Sequence, residues 1–198
     1  MPKAARLITA DDILPLATYA AERKARRAAI VELKRRRRLA VGPYATLHFE
    51  CFETMWMQVQ EMLYIEKGGD AQLADELAAY NPMIPKGAEL TCTLMFEIED
   101  EFRRARILSR LGGIEDSLVI RLGPITVRAV PEGDVERTKA DGKTSAVHFL
   151  HFPFTPEAIA AFKSPVVEAL IAFEHPDYGH LAVIPPVTRA ALAEDFAG

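Results

Sequence analysis

The sequence predicts a single α+β domain, a mostly antiparallel sheet of five to eight strands covered on one face by N-terminal helices. Three observations carry that expectation. Apolar residues recur at helical spacing through the first third, residues 1–80. From residue 89 to 198 they mainly alternate at every second position, as in half-buried strands. The Pro- and Gly-containing break between these regions, YNPMIPKGAE, is only a short loop, and neither an internal repeat nor a long linker divides the 198 residues. A chain of that length suits one domain with a substantial core.

The elements follow in order. Thr9 and Asp12 have the spacing of a capping box, with Ile8 and Ile13 placed as a hydrophobic staple around it. Pro15 ends that turn and suits the first position of a longer helix, roughly 15–38, whose thin apolar stripe is Leu16, Tyr19, Ala20, Ile30 and Leu33. After Gly42-Pro43, TLHFEC reads as a strand with Thr46, His48 and Glu50 on one face and Leu47, Phe49 and Cys51 on the other. ETMWMQVQEMLYIE returns to helical period, turning Met55, Val59, Met62 and Leu63 inward. Gly68-Gly69 stop it, and Asp70 can cap a further helix carrying Leu73 and Leu77. ELTCTLMFEIE is the clearest alternation in the chain, and Asp100 then caps a short helix that Gly112-Gly113 terminate. SLVIRLGPITVRAV reads as two strands joined at Gly123-Pro124, EGDVERTKADGK as a charged surface loop, and SAVHFLHF as another strand. TPEAIAAF is a helix with Thr155 as its cap and Pro156 at its first position. VVEALIAFE and LAVIP close the chain as a hairpin around HPDYGH.

Charge is distributed unevenly along this framework. Residues 1–40 carry eleven Lys or Arg against four Asp or Glu, net +7, whereas residues 41–198 carry thirteen against twenty-four, net −11. Five of the cations are consecutive: Lys34, Arg35, Arg36, Arg37 and Arg38. Such a patch on an acidic chain calls for a negative partner or for the chain's own carboxylates. Part of it also has a structural use, because cations complement the negative C-terminal end of a helix dipole. No apolar run approaches the ~20 residues that span a bilayer. The N-terminus lacks an apolar segment of signal-peptide length, so a cytoplasmic, non-membrane protein is expected. Cys51 and Cys92 are isolated in apolar contexts and read as small buried hydrophobes in a reducing compartment.

Three sites emerge. The first is the run Lys34 to Arg38 as a surface for an acidic protein or small anion, with nucleic acid as an alternative. No zinc finger, RNP-like aromatic box or GXXG loop accompanies it, and the chain is acidic overall, which argues against nucleic acid. The second is a metal centre formed by His48, Glu50, His148 and His175, provided their strands are neighbours. His148 and His151, three apart on a strand, point to opposite faces unless a bulge intervenes. The third is Glu61, either part of a carboxylate-bridged metal site or the partner of an arginine from the basic helix; the absence of any E-x-x-H favours the latter. No cofactor is required by the sequence, and a metal ion is the candidate it leaves open. G-x-S-x-G, G-x-x-x-x-G-K-[ST], G-x-G-x-x-G and H-E-x-x-H are all absent, so no catalytic residue can be assigned.

The motifs LITADDILPLATYAAER, LKRRRRLAVGPYATLHFECFETMWMQVQEML, LAAYNPMIPKGAELTCTLMFEI, SAVHFLHF and EHPDYGHLAVIP, in that order, resemble the bacterial family called domain of unknown function 3501. The resemblance spans nearly the whole chain and implies no activity. It implies an association with rubrerythrin-like ferritin-fold proteins and iron–sulfur oxidoreductases, encoded beside many members. The expectation that follows is an accessory protein of an iron- or redox-linked system. Tyr64 follows QEML, where the family commonly has an arginine, which puts any anion role of that position in doubt.

Overall fold

A computed structural model describes residues 5–133 and 144–197; the charged stretch 134–143 of the loop EGDVERTKADGK lies outside the described residues. The chain is α+β. Its described strands divide between two antiparallel sheets packed face to face, with helices outside, so the strands form a sandwich where one sheet was expected.

A 3₁₀ turn at Ala10–Asp12, closed by the Thr9–Asp12 capping box, leads into α1 (Leu16–Arg35). Then come β1 (Arg38–Val41), β2 (Ala45–Phe49), α2 (Phe52–Glu66), α3 (Gly69–Tyr80) and β3 (Glu89–Phe96). The second part runs α4 (Glu101–Leu108), β4 (Leu118–Leu122), β5 (Ile125–Arg128), β6 (Val130–Pro131), β7 (Val147–Pro153), α5 (Pro156–Lys163), β8 (Ala169–Phe173), β9 (Leu181–Val183) and α6 (Pro186–Ala193). Asp100 and Thr155 cap their helices as expected, accepting from the Arg103 and Ala158 amides at 2.6 and 3.2 Å. Gly68, not Asp70, is the cap of α3.

The first sheet has the order β1-β2-β3-β7-β6 and the second β5-β4-β8-β9. Alternation decides what each face meets. Leu47, Phe49, Leu90, Cys92, Leu94, Leu150 and Phe152 point inward and pack with Leu118, Ile120, Ile171 and Phe173 of the second sheet in one core. Phe149, one position out of phase, points outward and joins Ile8, Met55, Val59, Leu63, Met83 and Ile84 beneath α2. Buried Gln60 ties that layer to the entry of α1, accepting from the Leu14 amide at 2.9 Å and donating to its carbonyl at 3.2 Å.

Burial on α1 is slight. Of its 20 residues only Tyr19 is buried, and Leu16 (42%) and Val31 (59%) are exposed. Ala20 is exposed too, so the inward stripe is not the one apolarity suggested. It is Tyr19, Arg23, Arg26, Ile30 and Leu33, each three or four residues from the last and each at least half-buried.

Candidate functional site

The switch from helix to strand at residues 36–38 sends the five cations in different directions. Arg36 still has helical dihedrals and donates its amide to the Leu33 carbonyl at 3.2 Å. Arg38 opens β1 and is exposed. Between them Arg37 turns inward and is only 4% exposed. Its guanidinium donates to the carbonyls of Phe49 (3.1 Å), Glu50 (2.9 Å) and Ala191 (3.0 Å) and to the Asp195 carboxylate. Arg37 is therefore withdrawn from the anion surface it was expected to join: it staples β2 and the entry of α2 to the C-terminal segment. Burial pushes the Asp195 carboxyl up to about 6 even though Arg37 pulls it down.

Lys34, Arg35, Arg36 and Arg38 remain at the surface. Arg35 pairs with Glu32 at 3.0 Å, but both are exposed, and such a pair holds its cation weakly. Lys34, Arg36 and Arg38 meet no carboxylate within ion-pair distance among the described residues.

Further back along α1 the cations are used internally. Arg23 forks onto Glu61, Nε to Oε1 and Nη2 to Oε2, both at 2.8 Å, and the Tyr19 hydroxyl donates to the same carboxylate. The hydrogen bond from Arg23 is the main reason the Glu61 carboxyl is held down at about 2, against the effect of burial. Glu61 thus has the arginine partner the sequence favoured. Arg23 also lies 4.9 Å from the Tyr64 ring centre, and Arg26 lies 5.0 Å from that of Trp56. Tyr64 accordingly serves as a platform for a cation, where an arginine would repel it.

The four residues expected to bind metal do not converge. His48 pairs with Thr93 and His148 with Leu94, in registers that run without a bulge, so the two imidazoles leave opposite faces of one sheet. His48 lies on the helix-covered face beside Glu50, whose Oε1 accepts from the Thr93 hydroxyl at 2.7 Å. Burial pushes the His48 imidazole below its ordinary value, against the pull of Glu50 and Glu97. His148 is in the sandwich core, its Nε2 2.9 Å from the Ser145 carbonyl and its ring edge-on to Phe96. His175 belongs to an exposed turn, where its Nδ1 accepts from the Asp177 amide at 3.1 Å. Among the described residues no group of three or more His, Cys, Asp or Glu side chains is placed to hold a metal ion.

Other residues have partners that the sequence does not announce. Asp195 was invisible because its partner lies 158 positions away. His151 sits between Glu89 (Nδ1, 3.0 Å) and Glu132 (Nε2, 2.6 Å), and those carboxylates raise its pKa. Tyr178 of the HPDYGH turn plugs the β1–β2 turn. Its hydroxyl donates to the Val41 carbonyl at 2.9 Å and accepts from the Tyr44 and Ala45 amides at 3.1 and 3.0 Å. Period-2 patterning and turn composition locate these elements, but nothing local in them signals such long-range partners. Among the described residues no helix is long and apolar enough to cross a membrane.

Comparison with known proteins gives the chain its relatives. A crystal structure of a novel protein of unknown function from Burkholderia pseudomallei superposes with a TM-score of 0.88 at 38% sequence identity, covering 96% of this chain and 99% of that one. No curated protein matches. Residues 7–196 match the family described as protein of unknown function (DUF3501), to which the chain belongs.

Proposed function

We propose that the protein is an accessory protein that docks an acidic protein partner through the surface cations closing α1, Lys34, Arg35, Arg36 and Arg38. The observation that carries this reading is that Lys34, Arg36 and Arg38 share a short exposed stretch and have no carboxylate partner among the described residues. The chain has acids to spare, 28 against 24 cations, and spends two of them on Arg23 and Arg37. Cations left unpaired beside such a surplus form a concentrated positive field, which steers association with an anionic surface. The association with rubrerythrin-like and iron–sulfur proteins that the resemblance implies makes those the first partners to try, which would place the protein in iron or redox physiology.

The test titrates a purified rubrerythrin-like protein from the same genome against this chain at low and at physiological salt. Affinity is expected to fall several-fold as salt rises, because exposed charges are screened over about 8–10 Å. The triple variant Lys34→Gln, Arg36→Gln, Arg38→Gln should bind more weakly and lose that salt dependence. Binding that is flat with salt and indifferent to the triple variant refutes docking through this surface.

A further inference from the structure

An open groove of about 720 Å³ runs between α1 and the first half of α2. Ile30 and Leu33 form one wall and Phe52, Trp56 and Met57 the other, with Arg26 lying across the Trp56 ring. It exists because α1 carries too few large apolar residues to close onto α2: Ala29, which also lines it, offers only a methyl group. The volume suits two or three aliphatic side chains, within the range of ordinary ligand pockets. Its polar surroundings are not neutral. Lys34 stands one helical turn beyond Ile30 and Arg36 one turn beyond Leu33, so these two cations, without a carboxylate partner among the described residues, flank the groove at the C-terminal end of α1. Two acids line it as well. Asp12 is engaged, its carboxylate accepting from the Thr9 amide and hydroxyl at 2.8 Å each. Those donors are neutral, so Asp12 keeps its charge and with Glu53 puts two negative charges on the groove, against Arg26 in its lining and Lys34 and Arg36 at its end.

We propose that this groove seats the apolar face of a short acidic amphipathic helix belonging to the partner, with two aliphatic residues spaced i, i+4 between Ile30, Leu33, Phe52 and Trp56. Asp and Glu flanking those anchors meet Lys34 and Arg36. The inference rests on the docking reading above and specifies the partner's chemistry. Charge complementarity selects an acidic occupant, and the apolar walls demand anchors that a merely acidic surface lacks. The cations would speed encounter, and the buried anchors would hold the complex together.

Trp56 is the only tryptophan in the chain, so its emission reports occupancy of the groove directly. The probes are two synthetic Glu-rich helical peptides, one with leucines at i and i+4 and one with both leucines replaced by glutamine, titrated by calorimetry and by Trp56 fluorescence. The leucine peptide is expected to bind about tenfold more tightly or better, since each buried leucine contributes appreciably to association. It should also shift Trp56 emission to the blue. Ala29→Gln, at an exposed position that does not hold α1 in place, should remove the leucine advantage and leave the glutamine peptide's affinity unchanged. Equal affinities with Trp56 emission unmoved would overturn the groove and leave cation docking standing. Leucine-dependent binding that ignores the triple Gln variant at 34, 36 and 38 would overturn the acidic occupant and the docking reading with it. Failure of both peptides to bind at millimolar concentration would overturn both.

Discussion

Arg37→Gln separates the structural cation from its exposed neighbours. Arg37 is 4% exposed, and its four hydrogen bonds run to three main-chain carbonyls and the Asp195 carboxylate, itself 4% exposed. Glutamine is shorter and neutral, and can replace at most one or two of those bonds. The Asp195 carboxylate then stays buried without its cation, and removing one partner of a buried pair costs about 3–5 kcal/mol. The loss is bounded, because burial already raises the Asp195 pKa to about 6, and without the guanidinium the carboxyl takes up a proton near neutrality. For a chain of this size, about 2–4 °C in Tm per kcal/mol gives a fall of roughly 6–20 °C. Thermal and urea melts followed by circular dichroism measure it, with Arg36→Gln and Arg38→Gln as controls expected within about 0.5 kcal/mol of the parent. Adding Asp195→Asn to Arg37→Gln should recover part of the loss, because the stranded charge goes with it. A Tm within 2 °C of the parent for Arg37→Gln, or equal losses for all three arginines, would refute the division of the basic run into one internal and several external cations.

Two further substitutions test other junctions. Gly42 has φ +71°, and a Cβ there would lie 2.6 Å from the His180 ring and 2.8 Å from the Tyr178 hydroxyl. Gly42→Ala should therefore cost about 2–5 kcal/mol, the sum of left-handed strain and overpacking, and an unchanged urea midpoint would sink that account. At His151 the hydrogen bond to Glu89, and after it Glu132, raises the imidazole pKa against the effect of burial, so the folded chain binds this proton more tightly than the unfolded one. The stability it contributes is complete below the ordinary histidine value of about 6.5 and is lost as pH rises through the higher native value. His151→Gln should thus lose most stability below pH ~6 and little at pH ~9, where both imidazoles are neutral. A difference between variant and parent that does not shrink as pH rises would refute the clasp.

Local patterning made much of the fold legible. Alternation in ELTCTLMF located β3, and Asp100 and Thr155 announced α4 and α5. The division of the strands into two sheets was not legible, because each inner face looks the same in sequence whether it meets helices or another sheet. Nor was α6 foreseen: its eight residues open on the second of two prolines and carry only two large apolar side chains, Val187 and Leu192, too few to show a period. The histidine cluster failed for a sharper reason. His48 and His148 are on strands separated only by β3, but antiparallel register decides which face each residue takes, and shifting one strand by a single position would have put both on one side.

Direction, more than count, was also what the charges lacked. A run of five cations looks uniform, yet the chain passes from 3.6 to 2 residues per repeat within it, and that change alone turns Arg37 to the interior while Arg36 and Arg38 stay out. The same logic reaches back along α1, whose inward stripe holds Arg23 and Arg26 where leucines would be expected. Arginine is tolerated there because its stem covers apolar surface while its head meets Glu61 or an aromatic face. A helix held by such contacts packs less closely than one held by leucines, and it leaves an open seam against α2 with exposed cations at its end. The groove and the positive surface thus follow from one choice of residues on one helix.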